Sequence, residues 1–438
     1  MKQFHTFCTS MDVQNILPVA TSATREATNQ TEFLRQVEQE AGLKLRVLSA
    51  KEEAFYGYLG AANALNISNA FLIDIGGGST QVTMIRDRRF VQTFSRPLGV
   101  VRATGRYITS DPISNKEFKA LEQGVAQTFT GLDWFGSDGT VLAGIGGTIR
   151  TLAEIDQKKR GYSFDHVHGY VYTCDRLEET VDTLRGMSLR QRQNVPGLSR
   201  DRADVILAGA LILRQLMRQG AFESITVSGH GLREGIFYEH FLAGEDPPLF
   251  TDMREFSIKN VARLYNYEET HTAKVRELAL SLFDQLRELH GYGEWERELL
   301  GHAATIHDIG VAVGFYDHHK HGEYLTYNAP LQGFSHREHV ILAMLVRNHR
   351  KGDIKIEGYR DILETGDTAR IARLAALLRL AEYLERRKNQ IIDRLQVEIG
   401  DQVRIAVQTG GDATVEIWAA TRRADLFERA YGRKLEIV

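Results

Sequence analysis

With 438 residues and 43% hydrophobic content, the chain can bury sizeable cores and is long enough for about two to four domains. Its net charge of −3 argues against a dedicated nucleic-acid-binding protein, so any polyanionic substrate has to be held by local donors and metal rather than by an overall positive field. Cys8 and Cys174 are too few for a disulfide framework or a Cys-rich zinc site, no apolar run approaches the roughly 20 residues of a membrane span, and the start lacks a signal-peptide pattern; a cytoplasmic location with no membrane association is expected.

In chain order, residues 1–8 begin without a cap, and Phe4, Phe7, Cys8 and Met11 are spaced for one face of a helix. An element entered partway is expected there. The apolar run 16–20 leads to Thr21-Ser22-Ala23-Thr24-Arg25-Glu26-Ala27, hydroxyls that suit a helix cap followed by an arginine that can reach an anion. A plain cap with a solvated arginine is the alternative. Phe33, Leu34, Val37 and Ala41 mark an amphipathic helix closed by Gly42, after which Leu43, Leu45 and Val47 alternate as a strand. A further helix starts near Lys51. Glu52 and Glu53 occupy its first turn, where carboxylates favour the positive end of the dipole; following a strand, they can also face a cleft.

Residues 71–85, FLIDIGGGSTQVTMI, dominate the reading. An apolar strand ends in Asp74, three glycines follow, and alternation resumes at once, so this is a glycine-tipped β-hairpin rather than the strand-to-helix turn of a dinucleotide site or P-loop. Gly76, Gly77 and Gly78 can adopt φ > 0 and let N–H groups converge on an anion, with Ser79 and Thr80 adding hydroxyl donors. Asp74 is placed to hold Mg²⁺ against a phosphate. Glycines serving only the bend are the bland alternative. Helical, polar material is expected as far as Gly139. A second strand, 140–143, then leads into Gly144-Ile145-Gly146-Gly147-Thr148 and a helix over 149–155, and a third, 225–227, ends in Ser228-Gly229-His230-Gly231.

The stretches ATSATREATN, SAKEEAFYGYLGA, FLIDIGGGSTQVTMI, LAGIGGTIRTLA and VSGHGLREGIFYEH, in that order, resemble the exopolyphosphatase/guanosine pentaphosphate phosphohydrolase (Ppx/GppA) family of the actin-like ATPase superfold. The resemblance implies catalytic roles for Glu53, activating water, and Arg25, orienting substrate. It implies phosphate binding by Gly76, Gly77, Gly78, Ser79, Gly146, Gly147 and Thr148, and Mg²⁺, or alternatively Mn²⁺, at Asp74. The family's opening Asp-Gly-Ser-Asn-Ser-like loop has no match, so a first lobe entered partway and weak hydrolysis are expected.

Beyond residue 256 the chain reads as long helices, with 10 of the 15 histidines between His271 and His349. His271 with His307-Asp308 resembles an HD-type helical metal domain, for which Glu382 stands where an aspartate is usual. The extra methylene makes a second divalent metal doubtful there; His318, His319, His321 and His349 are further candidates. The tail alternates at 397–399, 403–407 and 415–418 (Val415-Glu416-Ile417-Trp418), with a helix near 426–431 and a last strand at 434–438.

The fold expected is thus α/β: actin-like ATPase (ribonuclease H-like) lobes over 1–60, incomplete, and 61–245, an all-α HD-like domain over 250–392 and a small α+β piece over 393–438. The function implied is a hydrolase, an exopolyphosphatase releasing orthophosphate from inorganic polyphosphate. Guanosine pentaphosphate is the alternative substrate, and a catalytically impaired regulatory binder or a metal-dependent phosphohydrolase of the helical domain are the other readings. A homodimer is expected.

Overall fold

The computed structural model describes residues 1–136 and 140–438, which group into two compact units, Met1–Phe250 and Thr251–Val438. In the first, a parallel pair, β1 (Val19–Ala20) and β2 (Arg46–Val47), stands apart from a six-stranded sheet. The strand expected over 43–47 is therefore only its last two residues, since Leu43 instead packs with Val37 and Ala41 of the preceding helix. That helix, Gln30–Ala41, ends at Gly42 in the left-handed conformation, as its glycine requires. Helix Lys2–Ser10 buries no residue, and Phe4 and Phe7 are exposed.

The large sheet comprises β3 (Ala70–Ile75), β4 (Thr80–Arg86), β5 (Arg89–Arg96), β6 (Val141–Ile145), β7 (Val171–Thr173) and β8 (Ser224–Val227), in the order β5-β4-β3-β6-β8-β7. Strands β3 and β4 form the expected antiparallel hairpin, while β3, β6 and β8 run parallel. Three parallel strands therefore deliver their following loops, 76–79, 146–148 and 228–231, to one edge of the sheet, where ligands of open α/β sheets bind. The expected helical material after the hairpin resolves into helices Val100–Tyr107 and Asn115–Thr128; its end at Gly139 lies outside the described residues.

Side chains alternate across a strand. Phe71, Ile73 and Ile75 pack into one core with Val82, Leu142 and Val227. Ala70 and Leu72 pack into the other, against Tyr56 and Leu59 of helix Ala50–Ala62. Asp74 continues the second series and so comes to the side of that helix. Each buried Ile, Leu or Phe contributes about 1.5–3 kcal/mol, and a slip of one residue would exchange the two sets and bury Asp74 among apolar groups; the register of the site is thereby specified. Helix Ala50–Ala62 is crossed closely by helix Leu232–Phe241. A Cβ at Gly60 would lie 2.1 Å from Gly231 O, and one at Gly235 1.9 Å from Tyr56 O.

The second unit is built on helices Met253–Leu264, Glu269–Gln285, Glu294–Ile306, His318–Asn328, His336–Asn348 and Asp367–Leu384. Every residue from Leu374 to Leu384 is buried, which makes Asp367–Leu384 the central helix. A sheet in the order β11-β10-β9 follows, with hairpin β9 (Ile392–Ile399) and β10 (Gln402–Thr409), and β11 (Lys434–Ile437) parallel to β10. The expected strand over 415–418 is instead part of helix Thr414–Thr421. Its buried positions are Glu416, Ala419 and Ala420, spaced i, i+3, i+4, while Val415 and Trp418 are exposed. Four residues were too short a window to separate the periods of strand and helix.

Candidate active site and candidate metal centre

In the first unit the expected residues converge at the carboxyl edge of the sheet. Helix Ala50–Ala62 starts with a capping box: Ser49 Oγ accepts from Glu52 N–H at 3.2 Å, and Glu52 Oε2 accepts from Ser49 N–H at 2.8 Å. Glu52 also pairs with Arg46, and the backbone bond, this ion pair and the serine hydroxyl hold its carboxyl down to about 2. Glu52 is thus consumed at the surface. Glu53, with 12% of its side chain exposed, points inward to Arg25, whose Nη1 donates to Glu53 Oε2 at 3.0 Å and to Leu48 O at 2.7 Å. Arg25 closes the short helix Ser22–Arg25, which has no side-chain cap, so the hydroxyls before it serve otherwise than expected.

Ser22 is buried, and its Oγ would stand 2.6 Å from a Cβ at Gly78. This close approach, rather than left-handed backbone, is why Gly78 is glycine: Gly76, Gly77 and Gly78 do not have positive φ, contrary to expectation, whereas Gly146 has φ +90°. The loop is closed by Gly76 N–H donating to Ser79 O at 2.9 Å. Its outer carbonyls are taken by helix Val100–Tyr107, with Val100 N–H on Gly76 O at 2.9 Å and Val101 N–H on Gly77 O at 3.0 Å. Among the described residues, the N–H groups of Gly77, Gly78 and Ser79 meet no protein acceptor, which leaves them for an anion.

Two hydroxyls are already committed. Thr80 Oγ1 donates to Leu98 O at 2.6 Å and Thr148 Oγ1 to Ile75 O at 3.0 Å, so Thr148 tethers β3 and can offer a ligand only its N–H. That N–H and its neighbours at Gly147 and Ile149 open helix Gly147–Arg160, whose first turn has no intrahelical acceptors. Sequence reasoning missed three arginines. Arg202 lies against Gly147, where a Cβ would be 2.3 Å from its Nη2; Arg150 donates to Gly229 O at 3.2 Å; Arg102 pairs with Glu26. No local pattern marks Arg202, which comes from a distant turn.

Asp74 faces this array. Burial, then the charge of Glu53, push its carboxyl up to about 7 against the pull of Arg150. Its Oδ1 occupies the space a Gly146 side chain would need, at 2.6 Å from the Cβ position. A partly buried aspartate facing a second carboxylate is an oxygen donor set that fits Mg²⁺ or Mn²⁺. A cavity of about 520 Å³ in the same unit lies instead on the Glu52 side, between Arg46, Tyr56, Phe90 and Glu239.

The second unit gathers a separate cluster. Glu382 Oε2 lies 3.1 Å from His271 Nε2 and 3.0 Å from His307 Nε2, so the extra methylene lets the carboxylate reach both imidazoles. Asp308 Oδ2 is 3.8 Å from His271 Nε2, and its Oδ1 is 3.3 Å from His318 Nε2 and 3.8 Å from His307 Nε2 and His349 Nε2. His319 and His321 stay outside; His319 lines another pocket with Glu323 and Arg347. Burial alone would lower His307, but Asp308 and Glu382 raise it to about 9, while burial and the charge of His307 push His349 down to about 3.

Residues 1–243 match the model of the Ppx/GppA phosphatase family, and residues 253–410 that of Ppx/GppA phosphatase domain III. The chain is 29% identical over 407 residues to the guanosine-5'-triphosphate,3'-diphosphate pyrophosphatase of Pseudoalteromonas translucida, an alignment covering 89% of this chain and 77% of that protein. It is similar to the crystal structure of the Aquifex aeolicus Ppx/GppA family member at 29% identity and a TM-score of 0.50, covering 56% of this chain and 79% of that one. An exopolyphosphatase from Cytophaga hutchinsonii, 21% identical with a TM-score of 0.51 over 55% of this chain and 78% of that one, shares the fold. The chain belongs to the Ppx/GppA phosphatase family, an enzyme family of phosphoanhydride hydrolases.

Proposed function

We propose that the chain hydrolyses the terminal phosphoanhydride of inorganic polyphosphate and releases orthophosphate. The observation that carries this reading is the Arg25–Glu53 pair held beside Asp74 and two anion-seeking loops. With Oε2 pinned by Arg25, Glu53 keeps Oε1 to orient a water and take its proton as oxygen attacks phosphorus. The N–H groups of 77–79 and of the helix start at 147–149 hold the oxygens of the transferred phosphoryl, in positions fixed before substrate arrives. Arg150 and Arg202 add positive charge on that side. Asp74 would hold Mg²⁺ or Mn²⁺, which when bound neutralises phosphate charge. In this reading the first unit is actin-like and the second HD-like, and the protein works as a cytoplasmic homodimer.

Guanosine pentaphosphate is the second reading, favoured by the Pseudoalteromonas translucida relative. It presents a terminal phosphoanhydride to the same groups. Phosphate release from a series of polyphosphate lengths, assayed beside the nucleotide, tests both: polyphosphate is expected to give the higher kcat/KM at every length above a few phosphates. Release from the nucleotide alone would refute the first reading, and release from neither would refute both.

A further inference from the structure

We propose that His168 is a positioning residue for the reaction: it fixes Gly229, through which Arg150 is held at the candidate active site, and so sets how tightly that site grips substrate phosphate. The inference rests on the reading of loops 76–79, 146–148 and 228–231 as a phosphate-binding edge. Arg150 stands in the first turn of helix Gly147–Arg160, and its charge pulls on the Asp74 carboxyl. Among the described residues its guanidinium makes one hydrogen bond, from Nη1 to Gly229 O at 3.2 Å, and no carboxylate pairs with it. Most of its N–H donors are therefore left for an anion, and the carbonyl of Gly229 is what holds the fork in place.

That carbonyl is only as steady as the glycine that bears it. The peptide plane after Gly229 is held by His230 N–H, which donates to Ser228 Oγ at 3.1 Å, and the plane before it by Gly229 N–H, which donates to His168 Nδ1 at 3.0 Å. Between those planes lie the two soft torsions of a residue without a Cβ, so release of either contact lets Gly229 O swing away from Arg150. A Cβ at Gly229 would itself lie 3.1 Å from His168 Cβ; the histidine fills the space that a side chain of the loop would otherwise take.

His168 is fixed at both ring nitrogens. Nε2 lies 3.1 Å from Ala64 O, which can only accept, and Nδ1 faces Gly229 N–H, which can only donate, so the ring is neutral with its proton on Nε2. It stacks on His230 with centroids 5.7 Å apart, and His230 Nδ1 is 3.2 Å from the Tyr238 hydroxyl. The turn that carries His168 is anchored on either side of it, by Gln157 Nε2 donating to His166 O at 2.9 Å and by Gly169 N–H donating to Val227 O at 2.8 Å. Ala64 lies just past helix Ala50–Ala62, which bears Glu53. One imidazole thus ties the end of that helix to the third glycine loop and, through the loop, to the cation beside Asp74. Groups held in this way are in place before substrate arrives.

The test measures affinity in the full chain and needs no turnover. Inorganic tripolyphosphate is titrated in EDTA, by calorimetry, into the unsubstituted protein and into variants with unaltered far-UV circular dichroism. His168→Asn puts an amide oxygen where Nδ1 was and is expected to bind within about twofold of wild type. His168→Gln keeps a donor for Ala64 O but gives Gly229 N–H no acceptor, and is expected to bind about tenfold more weakly, as is Arg150→Met, the equivalent of one lost charged hydrogen bond. Because both act through one contact, the double variant His168→Gln/Arg150→Met is expected to lose about tenfold rather than about a hundredfold. A general loosening of the unit would instead weaken His168→Asn and His168→Gln alike and add to the loss from Arg150→Met. Wild-type affinity in His168→Gln, equal losses in His168→Asn and His168→Gln, or additive losses in the double variant would overturn the inference and leave the phosphate-binding edge standing. No binding by the unsubstituted protein would overturn both.

Discussion

Substituting Gly60 by alanine adds one methyl group at the crossing of the helix that carries Glu53, and the structure sets the size of the effect. The new Cβ would lie 2.1 Å from Gly231 O, whereas ordinary contact begins near 3.4 Å, so the two helices must separate by about 1.3 Å. The obstacle is backbone, with no rotamer to relieve it. Overpacking of this kind costs about 1–3 kcal/mol, which lowers Tm by several degrees in a unit of this size. The same displacement moves Glu53 relative to Asp74, on the neighbouring strand, and misplacement by about 1 Å costs about a hundredfold in rate. Phosphate release from polyphosphate with Mg²⁺ is thus expected to fall about a hundredfold in kcat, with Tm lowered. Gly105→Ala is the control, since nothing lies within 4 Å of its Cβ position and the helix gains about 0.5–1 kcal/mol. Wild-type kcat and Tm in Gly60→Ala would refute the reasoning.

Glu53→Gln is expected to abolish turnover while polyphosphate binding stays within a few-fold, and Glu52→Gln to lower Tm with turnover retained, because only Glu53 faces Arg25; loss of turnover in Glu52→Gln alone would reverse the assignment. Asp74 titrates near 7 in the fold against about 4 unfolded, so the unfolded chain releases this proton first; the stability it contributes is present below about pH 4 and is lost as pH rises towards 7, by up to roughly 4 kcal/mol. Metal-free thermal melts at pH 5 and pH 8 are expected to differ less in Asp74→Asn than in wild type, and Mg²⁺ to restore the wild type at pH 8; equal pH dependence in both proteins would count against it. Arg387 grips the buried Glu416 at 2.7 Å through two nitrogens, and Arg387→Met is expected to lower the Tm of the second unit, with Glu416→Leu in the same chain recovering most of the loss. A melt of the single variant matching wild type would show that water reaches Glu416.

Much of the first unit was readable because period and punctuation agree there. Residues 71–85 announced a hairpin, and the acid at its end came to the side of helix Ala50–Ala62 because strands alternate. What could not be read was the reason for each glycine. Gly78 is required by Ser22, which lies far away in sequence, and the left-handed turn expected over 76–78 occurs instead at Gly146. Thr148 was implied as a phosphate ligand by resemblance, and the sequence could not show that its hydroxyl donates to Ile75 O, which leaves its N–H as the group free to serve. In the second unit the histidine richness was plain, but which rings converge depends on helix packing. His318 and His319 are adjacent, and only the first turns toward His349. Glu382 looked like a flaw by comparison with aspartate. Its reach could be judged only once the distance to His271 and His307 was known.

The capping box at Ser49 also acts as an angular stop. Successive residues of a helix point about 100° apart, so the residue at which the helix begins decides which of two adjacent glutamates looks inward. By tying both ends of the box, Ser49 and Glu52 set that starting point, and Arg46 holds Glu52 at the surface. Glu53, the base of the proposed reaction, is thus aimed at Arg25 by a neighbour that is itself held at the surface. An insertion of one residue between Ser49 and Glu52 would keep the composition of the site intact and turn its acid away from Arg25.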